Sequence, residues 1–363
     1  MPNLRLGCKI KCMGKLFKIL FSKTFLVVLA IICALGMFFY WGWFVKQYDK
    51  CVGMYYVYQG DKQYKKENLQ KAIDFYNQGL NLFPEHYEAW YNLGNIYVEY
   101  EDYYSATDAY EKAIEYNPKY TIARMNLGII STEKLGNFNE AISQYNSIIG
   151  THKHLWFIPF IFSNIHSEKT NRGLAYYNMG VAYREKALYL DRNREHSYEY
   201  LMKSIQAYKN AARILKKDYD TRYNLAIVYQ LAGDYQNAGI NYCKAIQLKP
   251  MNYEAHYNLA ILLRHLRMYK ESYDEVEKAS ILITNGNVNP NVATYIFDVL
   301  NEVSRTLVVN DEYKYLIEHF DNSQEAKALT YVNGKIVATD ALDRAMLQNF
   351  KTCETQKFFE EYQ

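Results

Sequence analysis

Asparagine recurs at five points along the chain, each time directly before Leu or Met and a small residue. These residues are Asn92, Asn126, Asn178, Asn224 and Asn258, and four of them directly follow a tyrosine, namely Tyr91, Tyr177, Tyr223 and Tyr257. A carboxamide offers both donors and an acceptor, so it can pair with a peptide unit without reading the side chain of that unit. The neighbouring tyrosines would add amphipathic contact area. The chemistry available to this set is recognition of a peptide backbone.

Motifs for catalysis or cofactor binding are missing from the sequence. It contains no phosphate-binding glycine loop, no nucleophile elbow and no His-Glu-x-x-His helix. Three histidines, His152, His154 and His166, lie close together, but no carboxylate or thiol shares their spacing, so we interpret them as loop residues. The sequence therefore predicts no enzymatic activity, no cofactor and no metal site.

The asparagines belong to a repeat whose clearest copy runs from Tyr87 to Tyr120, and the next copy begins 34 residues later at Thr121. Apolar residues of this copy fall at helical spacing from Trp90 to Tyr97 and again from Ala106 to Ala113. Pro118 ends the second segment, because proline lacks an N–H and clashes with the preceding turn. Each copy predicts two antiparallel helices that are too small to bury an apolar face alone and therefore stack in an array.

This copy contains, in order, an aromatic residue, Leu-Gly, Tyr, Ala, an aromatic residue, Ala and Pro. The order and spacing of these residues resemble those of the tetratricopeptide repeat (TPR) family. Six such units lie between residues 53 and 286, and they begin at Gly53, Tyr87, Thr121, Gly173, Tyr219 and Tyr253. Gly94 and Ala106 stand where the two helices of a unit are expected to cross. The resemblance implies an all-α helix-turn-helix solenoid that binds proteins or peptides.

The resemblance also implies a place for the asparagines. It puts them in the concave groove of the solenoid, where some members of the family hold an extended peptide by its backbone. Other members clamp an acidic C-terminal tail with lysines and arginines in the same groove. The matching places here hold residues such as Tyr91, Ile122 and Leu174. We therefore expect peptide binding without recognition of an acidic tail.

A segment of 22 uncharged residues, 24–45, precedes the repeats. At about 1.5 Å per residue it is long enough to cross about 30 Å of hydrocarbon. Tyr40, Trp41 and Trp43 cluster at its far end, as aromatic residues do at membrane interfaces. We predict a transmembrane helix over residues 24–45 that contacts the lipid bilayer. A cleaved signal peptide is the alternative, which the apolar residues continuing past Gly36 disfavour.

The tail of residues 1–23 carries six basic residues and no acidic residue. The positive-inside rule places such a tail in the cytoplasm. The repeats, joined through a linker at residues 46–52, would then lie in the periplasm or outside the cell of a bacterium, and the absence of an Asn-x-Ser/Thr sequon agrees with a bacterial origin. Beyond the tail, 36 basic residues face 39 acidic residues. The folded part therefore lacks the basic excess that a nucleic-acid surface requires.

Two regions depart from the repeat pattern. Residues 152–172 interrupt the array and contain an apolar run, 155–162, that is too short to cross a membrane. We expect this run to pack on the solenoid, because an exposed apolar patch is costly; contact with the bilayer interface or with a partner is the alternative. Residues 287–363 are expected to form a C-terminal cap. In it, Val292–Thr306 and Glu312–Phe320 predict a degenerate helix pair, and Asn333-Gly334 between alternating β-formers predicts a hairpin near 328–338.

Together these features predict a single-pass membrane protein whose TPR solenoid is a scaffold for a protein or an extended peptide and helps to assemble a cell-envelope complex. Two alternatives stay open. The chain could be an accessory or regulatory subunit of a transferase-like envelope enzyme, or a structural protein that associates with itself.

Overall fold

The structure is a computed structural model that describes residues 23–150, 165–190, 194–284 and 289–319. In this part of the chain every regular element is an α-helix and no strand occurs, as the all-α prediction requires. The helices are α1 (Lys23–Tyr64), α2 (Leu69–Leu82), α3 (Tyr87–Glu99), α4 (Tyr103–Tyr116), α5 (Thr121–Glu133), α6 (Phe138–Gly150), α7 (Ile165–Tyr189), α8 (Arg194–Ile214), α9 (Tyr219–Leu231), α10 (Tyr235–Leu248), α11 (Tyr253–His265), α12 (Tyr269–Thr284) and α13 (Pro290–His319).

The helices belong to two compact units, one that ends at Ala123 and one that begins at Arg124. In the first unit, α1 pairs with α2 and α3 pairs with α4. In the second unit, α7 pairs with α8, α9 with α10 and α11 with α12, and α13 lies against α12. Gly128 of α5 meets Tyr145 of α6 in the same way as in the other pairs. Each helix pair is one repeat of the predicted array.

The two helices of a repeat cross where a glycine of the first helix meets a tyrosine ring of the second. The pairs are Gly60–Tyr76, Gly94–Tyr110, Gly128–Tyr145 and Gly180–Tyr208. The four tyrosines are at most 1% exposed. A Cβ atom at Gly94 would lie 2.6 Å from Cε1 of Tyr110, well inside van der Waals contact. The absence of a side chain at this place therefore lets the ring lie against the helix backbone.

The turn between the two helices has the same form in several repeats. One residue of it is left-handed, with φ between 59° and 79°: Glu67, Glu101, Gly136, Gly233 and Arg267. An aspartate then caps the second helix, since Asp102 and Asp234 each accept a hydrogen bond from a backbone N–H three residues later at 3.1 Å. A non-glycine residue in the left-handed region costs about 1–2 kcal/mol, so the packing of the pair must outweigh it.

The segment 46–52, which the sequence analysis treats as a linker, is helical. Helix α1 runs unbroken from Lys23 to Tyr64, because no proline interrupts it. The segment also contacts the first repeat, since Lys46 Nζ lies 3.6 Å from Glu85 Oε1 and the Lys50 ammonium lies 4.8 Å from the centre of the Phe83 ring. The apolar segment and the first repeat thus share one continuous helix.

The N-terminal half of α1 is apolar and exposed. Val27, Ile32 and Met37 are 58%, 59% and 67% exposed. Within the described residues, α1 from Val27 onward meets the length and composition that a membrane span requires. A signal sequence near the N-terminus has the same properties. The structure therefore establishes an exposed apolar helix over the predicted segment 24–45, a feature that an anchor and a signal sequence share.

The fourth repeat is longer than the register of 34 residues predicts. Its first helix begins at Ile165, before the expected start at Gly173, and its second helix runs from Arg194 to Ile214. Residues 165–172 of the predicted insertion are therefore helical, and they contain no glycine or proline to prevent it. The apolar run 155–162 lies outside the described residues, so its packing stays a prediction.

The predicted C-terminal helix pair is wrong, because Pro290–His319 is one helix. The expected break falls in Leu-Val-Val-Asn-Asp, residues 307–311, which contain neither glycine nor proline. Ile296, Val299 and Val303 of α13 are at most 7% exposed and pack on the last repeat, as a cap should. The hairpin predicted near 328–338 lies outside the described residues.

We expect Gly94→Ala to destabilise the protein by about 1–3 kcal/mol, because the added methyl overlaps the Tyr110 ring. Gly150→Ala is the matched control, since a Cβ atom there meets no described residue within 4 Å. That change should be neutral or slightly stabilising. Chemical denaturation of the full chain in detergent, followed by circular dichroism, measures both effects. Equal effects would contradict the proposed constraint at the crossing.

Candidate peptide-binding face

The predicted tyrosines and asparagines lie on the first helix of their repeats, and all of them are partly exposed. Tyr91 and Asn92 belong to the first unit. The others belong to the second unit, where we name them the Tyr-Asn face: Asn126, Tyr177, Asn178, Tyr223, Asn224, Tyr257 and Asn258. Each asparagine stands two places before the small residue at the helix crossing. Since an α-helix turns about 100° per residue, the asparagine points away from the second helix of its own repeat.

Hydrogen bonds connect this face from one repeat to the next. Nδ2 of Asn224 donates to the hydroxyl of Tyr177 at 3.1 Å, and Nδ2 of Asn258 donates to the hydroxyl of Tyr223 at 2.5 Å. In both cases the carboxamide of one repeat contacts the phenol of the preceding repeat. Burial raises the pKa of Tyr223 to about 12, so its hydroxyl stays neutral at physiological pH. The two residue types that the sequence singled out are therefore partners of each other.

Arg184 of α7 joins the face, although the sequence analysis did not select it. Its Nη1 donates to Oδ1 of Asn224 at 2.6 Å, and its Nε and Nη2 donate to Oε1 of Glu185 at 3.0 and 2.8 Å. The side chain is 18% exposed. Burial disfavours the charged guanidinium, but Tyr208, Glu185 and Tyr177 outweigh this effect and raise the pKa of Arg184. The sequence does contain a signal for this residue. Arg184 stands four places after the small residue Gly180, and in later repeats Gln230 and Arg264 stand four places after the small residues Ala226 and Ala260.

The asparagines of the Tyr-Asn face differ in how many of their side-chain hydrogen-bonding groups have partners within the chain. Asn224 also donates to the carbonyl oxygen of Asp220 at 2.9 Å, so both sides of its carboxamide are used. Nδ2 of Asn178 contacts only a weak acceptor, the Met125 sulfur, at 3.1 Å. For Oδ1 of Asn178 and of Asn258, no donor is recorded among the described residues. Asn178 and Asn258 therefore keep an acceptor for a ligand, whereas Asn224 has a structural role.

In the first unit, the corresponding asparagine has intramolecular partners as well. Nδ2 of Asn92 donates to Oδ1 of Asp61 at 3.1 Å and lies 3.4 Å from the hydroxyl of Tyr76. The Tyr91 ring packs on Tyr110 and Tyr120, with ring centres 5.7 and 5.4 Å apart. Peptide binding by the predicted residues stays a prediction in both units.

Acidic side chains flank the tyrosines of the Tyr-Asn face. The charge of Asp220 acts on Tyr177, that of Glu254 on Tyr223 and that of Asp298 on Tyr257, and each helps to raise the pKa of the tyrosine after burial. Asp220 and Glu254 stand at the helix starts in the places where Ile122 and Leu174 stand in earlier repeats. These acids oppose an acidic ligand. Within the described residues, no group of three or more His, Cys, Asp and Glu could hold a metal ion.

Comparison with protein families identifies the repeat. The tetratricopeptide repeat model matches residues 87–120 and 219–252, which are the α3–α4 and α9–α10 pairs. The chain contains tetratricopeptide repeats at these two places. It is 25% identical to tetratricopeptide repeat protein 6 of Homo sapiens over 214 residues, which cover 58% of this chain and 35% of that protein. It is 26% identical to the TPR repeat-containing protein MJ1428 of Methanocaldococcus jannaschii over 227 residues, which cover 61% and 35%.

The matched region spans less than half of each of these curated relatives. Among solved structures, this TPR chain is similar to PilW, described as a type IV pilus biogenesis factor, with a TM-score of 0.49, 12% identity and coverage of 65% of this chain and 96% of that one. It is also similar to pilF of Pseudomonas aeruginosa, with a TM-score of 0.45, 12% identity and coverage of 66% and 95%.

The hydrogen bonds of the TPR chain predict unequal effects of two asparagine substitutions. Asn224→Ala should destabilise the protein by about 1–3 kcal/mol, because Arg184 and Tyr177 lose their partner while they stay partly buried. Asn178→Ala should cost less than about 1 kcal/mol, because it removes only a contact with sulfur. Thermal unfolding of the full chain in detergent compares the two. A smaller loss for Asn224→Ala than for Asn178→Ala would contradict the structural role of Asn224.

Proposed function

We propose that the chain is a membrane-anchored scaffold that binds a protein or an extended peptide along the Tyr-Asn face and helps to assemble a cell-envelope complex. One observation carries this proposal: successive repeats present tyrosine and asparagine at the same place, joined to each other by hydrogen bonds that fix their orientation. Fixed polar groups lose little conformational entropy when a ligand binds. The proposed role is binding, without a catalytic step or a cofactor.

The contacts of the Tyr-Asn face favour recognition of the main chain. Oδ1 of Asn178 and Oδ1 of Asn258 are available to accept from peptide N–H groups, and the partly exposed rings of Tyr177, Tyr223 and Tyr257 would cover the backbone between them. Asp220 and Glu254 make the surroundings of Tyr177 and Tyr223 acidic, whereas at Tyr257 the charge of Arg264 acts more strongly than that of Asp298. A neutral or basic ligand segment therefore fits this face better than an acidic C-terminal tail.

Site-specific crosslinking tests the location of binding. A photoreactive phenylalanine analogue in place of Tyr257 should crosslink to a polypeptide partner in native membranes, because this side chain lies on the proposed face. The same analogue in place of Tyr198, which is 54% exposed on the second helix α8, is the control and should not give that product. An identical product from both positions, or from Tyr198 alone, would move the binding site off the Tyr-Asn face.

Asparagine substitutions add a quantitative comparison of crosslinking yields to this experiment. In a chain with the analogue at Tyr257, the pair Asn178→Ala and Asn258→Ala should lower the crosslinking yield, since two hydrogen bonds of about 0.5–1.5 kcal/mol each are lost. Asn210→Ala on α8 is the matched carboxamide control. An undiminished yield with the paired variant would contradict backbone recognition by these two residues.

The proposed topology places residues 1–23 in the cytoplasm, residues 24–45 across the membrane and the repeats on the other side. The six basic residues of the tail and the exposed apolar half of α1 support it. It assigns the repeats to the periplasm or the cell exterior of a bacterium.

Thiol labelling tests this topology in intact bacterial cells. Met251 is 79% exposed at the start of a repeat, so Met251→Cys provides a reactive thiol outside the apolar segment. A reagent that cannot cross membranes should modify this cysteine in intact cells, and Cys8 and Cys12 only after permeabilisation, as mapped by mass spectrometry. Modification of Cys8 and Cys12 alone would place the repeats in the cytoplasm. Loss of residues 1–36 from the mature chain would indicate a signal peptide instead.

A further inference from the structure

Helix α1 presents a row of exposed apolar side chains on the side that faces away from the first repeat. We name this row the α1 stripe, and it consists of Trp41, Phe44, Tyr48, Cys51, Tyr55 and Tyr58. Its five aromatic side chains are between 51% and 68% exposed, and the cysteine is exposed and free. On the opposite side of the helix, Gly53, Val57 and Gly60 pack on α2. The α1 stripe is therefore uncovered within the described residues.

The spacing along the α1 stripe alternates between three and four residues from Trp41 to Tyr58, which gives a repeat of seven residues. Such a row drifts by about 20° per seven residues around a straight α-helix. It stays on one side where two helices wind around each other, as in a coiled coil. Lipid or a flat protein surface requires no such period. The spacing therefore favours a second helix as the group that covers the stripe.

The α1 stripe extends beyond the reach of the bilayer. The predicted membrane segment ends at Val45, and Tyr58 lies about 20 Å further along the helix. The charged residues Lys46, Asp49 and Lys50 follow Val45, so this part of α1 lies in water. Lipid does not cover the aromatic side chains there, and a contiguous apolar row in water is typical of a protein interface. The covering helix therefore belongs to a protein.

The distribution of charge favours a second copy of this chain. In a parallel pair of identical helices, each place of the stripe meets the same place of the second copy, so a charged residue there would face its own charge. The stripe contains no charged residue, although Lys46, Asp49 and Lys50 stand between its members. Lys62 occupies the next place after Tyr58 and ends the stripe. The stripe can therefore pair with itself without repulsion.

The membrane segment agrees with a parallel arrangement. Copies of one chain cross a membrane in the same direction, so their α1 helices are parallel. Ala30, Ala34 and Met37 continue the spacing of the stripe toward the N-terminus. Small residues four places apart allow two membrane helices to approach closely. The same side of α1 can thus form a contact inside and outside the bilayer.

We propose that the α1 stripe is the interface of a parallel dimer of this chain. The two α1 helices wind around each other from the membrane segment to Tyr58, and Cys51 of one copy faces Cys51 of the second copy. This inference goes beyond the proposed function, because it assigns a second interaction surface on a helix that carries no residue of the Tyr-Asn face. It needs only that all copies cross the membrane in one direction, whichever side the repeats occupy.

Disulfide formation across the dimer tests the register of the two helices. In native membranes that contain a chain with Cys8, Cys12 and Cys33 changed to serine, copper phenanthroline should join two copies through Cys51. The two thiols lose two protons and two electrons to this oxidant and form one S–S bond. A product of about twice 42.8 kDa should therefore appear on a gel without reductant and disappear with it. The further substitution Cys51→Ser should remove this product.

Moved cysteines test the spacing of the interface. In the chain that carries Cys51→Ser, Tyr48→Cys and Tyr55→Cys should each restore the product, because both places lie on the stripe. Lys46→Cys is the matched control and should not restore it, since this side chain is 73% exposed but lies beside Glu85, on the side of α2. Equal yields from Lys46→Cys and Tyr48→Cys would mean random collision and would overturn the dimer. Absence of the product from all three stripe positions would overturn it as well.

Sedimentation equilibrium in density-matched detergent measures the dimer without a covalent bond. Tyr48→Glu combined with Tyr55→Glu should weaken dimerisation by about tenfold or more, because buried aromatic area is lost and carboxylates face each other. Tyr104→Glu combined with Tyr198→Glu is the matched control, at exposed tyrosines on α4 and α8, and should leave the dissociation constant within about twofold. A parent chain that is monomeric at every concentration, or a stripe variant that dimerises as tightly as the parent, would contradict the inference.

Discussion

The contact of a tyrosine ring with the bare backbone of a facing helix is the constraint on which the first four repeats depend. The ring of Tyr110 lies so close to Gly94 that no side chain fits between the helices. Where the glycine is replaced, the repeat adapts: Ala226 faces Tyr242 in the fifth repeat, and Ala260 packs with Val276 in the sixth. The crossing sets both the separation and the rotation of the two helices. It therefore decides which residues of the first helix face away from the second.

The candidate site follows from that rotation. An asparagine two places before the crossing points away from the second helix of its own repeat, and the carboxamides of Asn224 and Asn258 reach the tyrosine of the preceding repeat. The bonds from Asn224 to Tyr177 and from Asn258 to Tyr223 are therefore connections between repeats as well as parts of a binding face. Side chains that both connect repeats and form the binding face are already held in place, so ligand binding costs less conformational entropy. The same double use means that a substitution such as Asn224→Ala affects stability and binding together.

The sequence predicted the features that depend on local periodicity. Spacing along the chain was enough to predict the helix pairs, the crossing at Gly94 and the apolar helix. It also predicted that the Tyr-Asn residues lie on the first helices of their repeats. Helix ends were less predictable, because 46–52, 165–172 and the residues between Thr306 and Glu312 contain no proline that must end a helix. The contacts of Arg184 depend on which side chains meet across helices, and a repeat period contains no such information.

Helix α1 makes the first repeat mechanically continuous with the apolar segment. From Val45 to Gly53, the helix rises by about 12 Å, and Lys46 and Lys50 already contact the end of α2 within that distance. If residues 24–45 span a bilayer, the first repeat cannot reorient independently of the membrane-spanning segment, because no flexible linker separates them. Tilting or rotating the apolar segment would turn α1, α2 and their neighbours together as a rigid body. The membrane would therefore set the orientation of the first repeat. Changes in bilayer thickness, which alter helix tilt, would then change the orientation of the first repeat.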